Sequence, residues 1–189
     1  VNYLYKQSNQ IRIIGGTHRG RKLSFPNLPG LRPTGDRMRE TLFNWLQPII
    51  GGASCLDLFA GSGALGFEAA SRNAGRVVML DIAPPVITQL KHHLDQFKFS
   101  QIEIYQIDAL QWLQEATINR FDIVFLDPPF ATNLATDACN LLLQYQWLKE
   151  RAWLYLEQDL KSGRPSLPSS LCITKEKHMG QVWCGLIHN

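Results

Sequence analysis

Cysteine is scarce, with four in 189 residues, and Cys55, Cys139, Cys172 and Cys184 form no C-x-x-C pair. That spacing argues against a disulfide framework and against a structural zinc site. Reduced, partly buried thiols and no metal are expected. No apolar run reaches the roughly 20 residues that a membrane-crossing helix needs. Val1 to Gln10 has no apolar signal core. A cytoplasmic chain with no membrane partner is therefore expected. No internal repeat is visible, and only 26–35, with three prolines and two glycines, has linker composition.

What is present is ordinary globular material, 45% hydrophobic and 19% charged. It suffices for one domain with a sizeable core, or one domain with a small appendage. The net charge of +3 hides an asymmetry. Residues 1–40 hold eight Lys/Arg and two acids, a net +6, and the remainder carries −3. A basic arm on a mildly acidic body is the pattern expected when one end grips phosphates, with a solvated charged face as the plain alternative. The predicted division is an arm over 1–35 and a main domain over 36–189.

Ile11-Arg12-Ile13-Ile14 and Arg21-Lys22-Leu23-Ser24-Phe25 read as two short strands around Gly15-Gly16, a hairpin studded with Arg12, His18, Arg19, Arg21 and Lys22. A helix pattern starts near Asp36. Met38, Leu42, Phe43, Trp45 and Leu46 share its apolar side, with Arg37 and Arg39 off that stripe. From Ser54 onward short apolar runs alternate with amphipathic ones. Strands are predicted at 54–59, 76–81, 101–107, 121–126 and 151–157, and helices at 63–73, 84–97, 109–116 and 134–145. Pro84-Pro85 suits the first turn of the second of these helices, where no backbone donor is needed. Alternation of this kind implies an α/β fold with a parallel sheet covered on both faces. Residues 171–174 and 182–187 flank Lys175 to Gly180 and read as a last antiparallel hairpin at a sheet edge.

The chemistry concentrates at strand ends. Leu56 to Phe59 is an apolar run containing Asp57, and it breaks into Gly61-Ser62-Gly63 before a helix pattern. Small residues there let a ligand lie against the backbone, and the helix start offers free N–H groups. Asp81, Asp108 and Asp127 end or closely follow later strands. Ligands of open parallel sheets bind beyond those ends. Gly61-x-Gly63-x-x-Gly66 satisfies the dinucleotide pattern, so a nicotinamide enzyme is one reading. Asp57 argues against it, because a carboxylate beside a pyrophosphate is unfavourable, whereas a zwitterionic ligand would be stabilised by one. Asp127-Pro128-Pro129-Phe130 argues the same way. Its acceptors and flat ring suit a planar base carrying an –NH₂ group.

The Leu56–Gly66 loop, Asp81, Asp108 and Asp127-Pro128-Pro129-Phe130 resemble the motif order of class I S-adenosylmethionine-dependent methyltransferases. Arg12-Ile13-Ile14-Gly15-Gly16, Arg19-Gly20-Arg21-Lys22-Leu23, Leu31-Arg32-Pro33-Thr34 and Asp36 to Leu46 resemble the RsmD family more specifically. That bacterial family methylates N2 of one guanine in 16S ribosomal RNA. The resemblance runs from about Arg12 to the final hairpin. It implies a Rossmann-like, mainly parallel seven-stranded sheet with an antiparallel C-terminal hairpin and a basic N-terminal hairpin arm.

It further implies that Asp57, Ala60, Gly61 and Gly63 line the methionine end of S-adenosylmethionine. Asp81 would accept from the ribose, where other methyltransferases often carry Glu, and Ile82 would pack on the adenine. Asp108, with Ala109 beside it, would bind the adenine amino group. Asp127, the Pro128 carbonyl and Phe130 would hold the guanine. Arg12, Arg19, Arg21, Lys22, Arg32, Arg37 and Arg39 would hold the RNA backbone. The expected partner is 16S rRNA in an assembling or assembled small ribosomal subunit, met by a monomer. The rival readings are a DNA adenine-N6 methyltransferase and a non-catalytic RNA-binding ribosome-assembly protein.

Overall fold

A computed structural model describes residues 9–29, 31, 34–115, 119–129 and 133–189. Nine strands and five helices follow in the order β1 (Asn9–Arg12), β2 (Lys22–Phe25), α1 (Asp36–Leu46), β3 (Ser54–Asp57), α2 (Ala64–Ser71), β4 (Arg76–Asp81), α3 (Pro84–Phe97), β5 (Ile102–Gln106), α4 (Ala109–Leu113), β6 (Phe121–Leu126), α5 (Leu134–Gln144), β7 (Leu148–Asp159), β8 (Cys172–Met179) and β9 (Val182–His188) among the described residues. β1 and β2 form a separate antiparallel hairpin. The other seven strands form one sheet in the order β5-β4-β3-β6-β7-β9-β8. β3 to β7 are mutually parallel, and β9 and β8 run antiparallel at one edge. All four cysteines are free.

Strand alternation sorts the core into two layers. Cys55, Val77, Met79, Ile123, Phe125 and Tyr155 pack with α1, α2, α3 and the hairpin residues Ile13 and Leu23. Leu56, Val78, Leu80, Val124, Leu154 and Leu156 pack with α4 and α5 on the other face. Every residue of α2 is buried, because the hairpin residues Ile13 and Leu23 share its apolar layer. Gly66 makes the helix–sheet approach possible: a Cβ there would meet Met79 Sδ at 2.7 Å.

The predicted 84–97 helix and 121–126 strand coincide with α3 and β6. β7 begins earlier than the predicted 151–157 and ends two residues later. A register shift between Phe121 and Ile123 and a positive φ at Arg151 of 62° interrupt its alternation, which conceals residues 148–150 of that strand in the pattern. No helix among the described residues is long and apolar enough to cross a membrane.

Candidate active site

The order of strands, not their direction, reverses between β3 and β6: β3 pairs in parallel with β4 on one side, the chain proceeding outward to β5, and with β6 on the other, the chain proceeding outward to β7. Beyond the carboxyl ends of these strands a cleft opens, of about 210 Å³. This is where a doubly wound sheet places its ligand.

Its floor is the loop after β3. Asp57 ends that strand and is 1% exposed. Its Oδ2 accepts from the Gly66 N–H at 3.1 Å. Its Oδ1 is buried and has no hydrogen-bond partner. Burial pushes the carboxyl up from 3.8 to about 7, helped by the nearby Asp81 charge and opposed by the Gly66 N–H. An orphaned acceptor in a ligand-sized cleft is a place for a donor that the protein itself does not supply. Gly61 lies in the wall of the cleft in the left-handed region, with φ of 49°.

The second wall is the end of β4. Asp81 Oδ2 accepts from the Gly61 N–H at 2.9 Å, and Oδ1 from the Ala83 N–H at 2.8 Å. Asp81 thus fixes the glycine loop to the start of α3, and each oxygen retains a second lone pair. Ile82 beside it is 64% exposed, an apolar side chain on the cleft surface. Asp108 caps α4, its Oδ1 accepting from the Gln111 N–H at 2.8 Å. It is exposed and also lines the cleft, with Ala109.

The third wall is the end of β6, with Asp127 and the buried Pro128. The Thr34 hydroxyl donates to Asp127 Oδ2 at 3.0 Å. Burial, and then the Glu157 charge, raise the Asp127 carboxyl well above its ordinary value, against the Thr34 hydrogen bond. Asp127 and Thr34 also line a second cavity, of about 850 Å³, between the start of α1, the end of β7 and the β8–β9 turn. Two chambers therefore meet at one carboxyl.

Seven of the predicted cofactor positions, Asp57, Ala60, Gly61, Asp81, Ile82, Asp108 and Ala109, line the first cleft. Gly63 does not. It is the N-cap of α2, with φ of 78°, and the space beside it is filled by Leu90 and Phe67. Its left-handed conformation turns the chain into the helix, and that is its structural contribution. Phe130 and Arg32 lie outside the described residues.

The arm departs most from expectation. Arg12, Arg19, Arg21, Lys22 and Arg37 are exposed. Arg39 is not: it is fully buried and cannot touch a phosphate. Its Nε donates to the Thr34 carbonyl at 3.1 Å and Nη1 to the Arg12 carbonyl at 2.8 Å. It also pairs with Asp36 at 2.5 Å. The helical pattern puts Arg39 off the apolar stripe, but the hairpin covers that side of α1.

The exposed cations are also not all together. The 17–20 turn is held to Ser71 at the end of α2, where the Thr17 N–H donates to the Ser71 carbonyl at 2.8 Å. The Arg21 guanidinium sits 6.0 Å from the ring centre of Phe97, the last residue of α3. α3 starts at the cleft and its 14 residues span about 21 Å, so Arg19 and Arg21 stand at the far end of the sheet. Arg37 lines the second cavity, and Arg12 reaches Asp36 there at 3.1 Å.

Three site residues have no assigned role in the sequence reading: Thr34, Glu157 and Lys177, all lining the second cavity. Glu157 carried a usable signal, since it closes the predicted 151–157 strand as the other acids close theirs. Lys177 carried none, because only the folded hairpin brings it beside α1.

The strand order, the reversed last pair and the glycine loop after β3 define a class I methyltransferase fold. Comparison with known proteins narrows this. A family model described as Conserved hypothetical protein 95 matches residues 11–188. Ribosomal RNA small subunit methyltransferase D of Escherichia coli strain K12 is 47% identical over 176 residues, covering 93% of this chain and 88% of that protein. The protein of the same name from Haemophilus influenzae is 47% identical over 184 residues, covering 95% and 94%. The solved structure of the putative methyltransferase yhhF from E. coli superposes with a TM-score of 0.89 at 41% identity, covering 96% of this chain and 98% of that one. The chain belongs to the ribosomal RNA small subunit methyltransferase D family.

Proposed function

We propose that the protein transfers a methyl group from S-adenosylmethionine to the N2 amine of a guanine in the 16S RNA of the small ribosomal subunit. The observation that carries this reading is the meeting of two chambers at Asp127. A transfer between two bound molecules needs two adjoining sites and a polar group between them.

The first cleft fits the cofactor. The orphaned Asp57 Oδ1 suits its ammonium group, Gly61 allows close approach of its backbone-hugging end, and Asp81 retains lone pairs for ribose hydroxyls. Ile82 offers an apolar face for the adenine, and Asp108 an acceptor for its amine. Held there, S-adenosylmethionine would supply a methyl group activated by the positively charged sulfur that carries it, with a neutral thioether as the leaving group.

The chain's own work is on the amine. An aromatic amine is a poor nucleophile because its lone pair is delocalised into the ring. Hydrogen bonds from N2 to Asp127 and to the Pro128 carbonyl favour a more tetrahedral nitrogen and stabilise its developing positive charge. The raised affinity of Asp127 for a proton also suits it to receive the one that N2 sheds. The target base must leave any stack to reach this wall, and the second cavity has room for it.

The test is nucleoside mass mapping after incubation of unmodified small subunits, or of their naked RNA, with labelled cofactor. The expected product is N2-methylguanosine at one position. A methylated adenine, or no transfer, overturns the reading.

A further inference from the structure

A second carboxyl stands beside Asp127 and has no part in the chemistry above. Glu157, near the end of β7, is 5% exposed and lines the second cavity together with Asp127 and Thr34. The Tyr155 hydroxyl donates to its Oε1 at 2.7 Å. The Thr34 hydroxyl that donates to Asp127 is a polar neighbour of Glu157 as well. Among the described residues neither carboxyl has an ion-pair partner. Burial raises the proton affinity of both. Each carboxyl on this wall receives one hydroxyl donor from the protein and keeps further lone pairs, and donors to fill those are what a bound base can bring.

The four bases differ in what they offer. Only guanine has two adjacent N–H donors on its Watson–Crick edge, N1–H beside the N2 amine. Adenine sets an acceptor, N1, beside its N6 amine, and cytosine sets N3 beside its N4 amine. Uracil has a single N–H between two carbonyls. A pair of neighbouring acceptors therefore matches guanine alone.

We propose that Glu157 reads the guanine N1–H while Asp127 holds the N2 amine, so that this acid pair selects guanine over adenine. The inference rests on the guanine-N2 reading and adds to it the group that chooses the base. Glu157 is positioned for this from behind: the Tyr155 hydroxyl occupies Oε1 and so fixes the orientation of the carboxyl in the cavity wall.

The decisive substrate is 2-aminopurine, which keeps the N2 amine but has an unprotonated N1. Small subunits would be assembled with guanine or 2-aminopurine at the position first mapped on ordinary subunits. The wild-type protein should favour guanine by on the order of 10- to 100-fold in kcat/KM, the worth of one hydrogen bond to a charged group. In Glu157→Gln, Tyr155 still donates to the side-chain oxygen, and the new –NH₂ donates to the bare N1. The preference should shrink about tenfold or reverse, while S-adenosylhomocysteine affinity and melting temperature hold. A wild-type protein that takes both bases equally overturns the inference, and so does a Glu157→Gln protein with the wild-type preference. If the variant does not fold, the wild-type comparison decides alone. A wild-type protein that methylates no guanine N2 overturns instead the reading on which this one rests.

Discussion

Arg39 and Glu68 face each other 3.6 Å apart, and neither side chain is exposed to solvent. Glu68 also accepts from the Ile14 N–H at 2.8 Å and from Arg72 Nε at 2.8 Å. Arg39 holds the carbonyls of Arg12 and Thr34. One buried ion pair therefore fastens the hairpin to α1 and α2, and it holds the backbone of the residue whose hydroxyl reaches Asp127. The +6 of the first 40 residues is partly internal wiring rather than a phosphate grip.

Removing Arg39 should accordingly cost stability, not RNA contacts. Arg39→Met leaves Glu68 with Arg72 and a backbone N–H but takes the donor from the buried Thr34 carbonyl and the part-buried Arg12 carbonyl. Breaking one side of a buried pair costs about 3–5 kcal/mol. For a chain of this size that corresponds to a fall in melting temperature on the order of 10 °C. Arg37→Met, on the exposed neighbour, should change stability by no more than about 0.5 kcal/mol. Thermal melts of the two variants side by side check this, and equal melting temperatures would remove Arg39 from its structural role.

Cofactor affinity should depend on pH through Asp57. Its carboxyl titrates near 7 in the folded protein, against an ordinary 3.8. An ammonium ligand needs the ionised form. Affinity should therefore be full above about pH 7 and weaken towards tenfold per pH unit below it. The ligand-free protein should show the opposite trend. The folded form keeps a proton that the unfolded chain releases between about pH 4 and 7, so this group's contribution to stability declines as pH rises through that window. Calorimetric titration with S-adenosylhomocysteine from pH 5.5 to 8 measures the first effect, and Asp57→Asn should flatten both curves.

Asp127 should separate binding from turnover. Asp127→Asn keeps the shape of the wall but weakens its acceptor and removes the proton sink. The turnover number should fall by about 10²–10³-fold, with S-adenosylhomocysteine affinity within a few-fold of wild type. Single-turnover methyl transfer with saturating cofactor is the measurement. Near-normal turnover would take Asp127 out of the reaction.

The cations should not contribute equally to RNA binding. Arg37 lines the chamber next to Asp127, whereas Arg19 and Arg21 stand at the other end of α3. Arg37→Ala should lower the slope of log affinity against log salt by about 0.7, the loss of one phosphate contact to a single strand. Binding of RNA at several salt concentrations gives the slope, and an unchanged slope would exclude a phosphate contact there.

Most of the architecture could be read along the chain because its causes are local. Period-two and period-3.6 patterns, paired prolines at the head of α3 and glycines after β3 depend on neighbours a few residues away. The same holds for Asp57, Asp81 and Asp127, whose places at strand ends put them at the carboxyl edge of any parallel sheet built from this order. The resemblance carried their roles further than the spacing did. What folding alone decided were relations between distant residues. A helical wheel set Arg39 towards solvent, since its partner Glu68 lies on another helix and its cover is a hairpin. Gly63 satisfied a ligand motif yet faces Leu90 and Phe67. The second chamber is walled by α1, β7 and the β8–β9 turn, more than 140 residues apart in the chain, so Thr34 and Glu157 meet Asp127 only after the sheet has formed. Local pattern determines which residues reach a strand end, and long-range packing determines which of them share a wall.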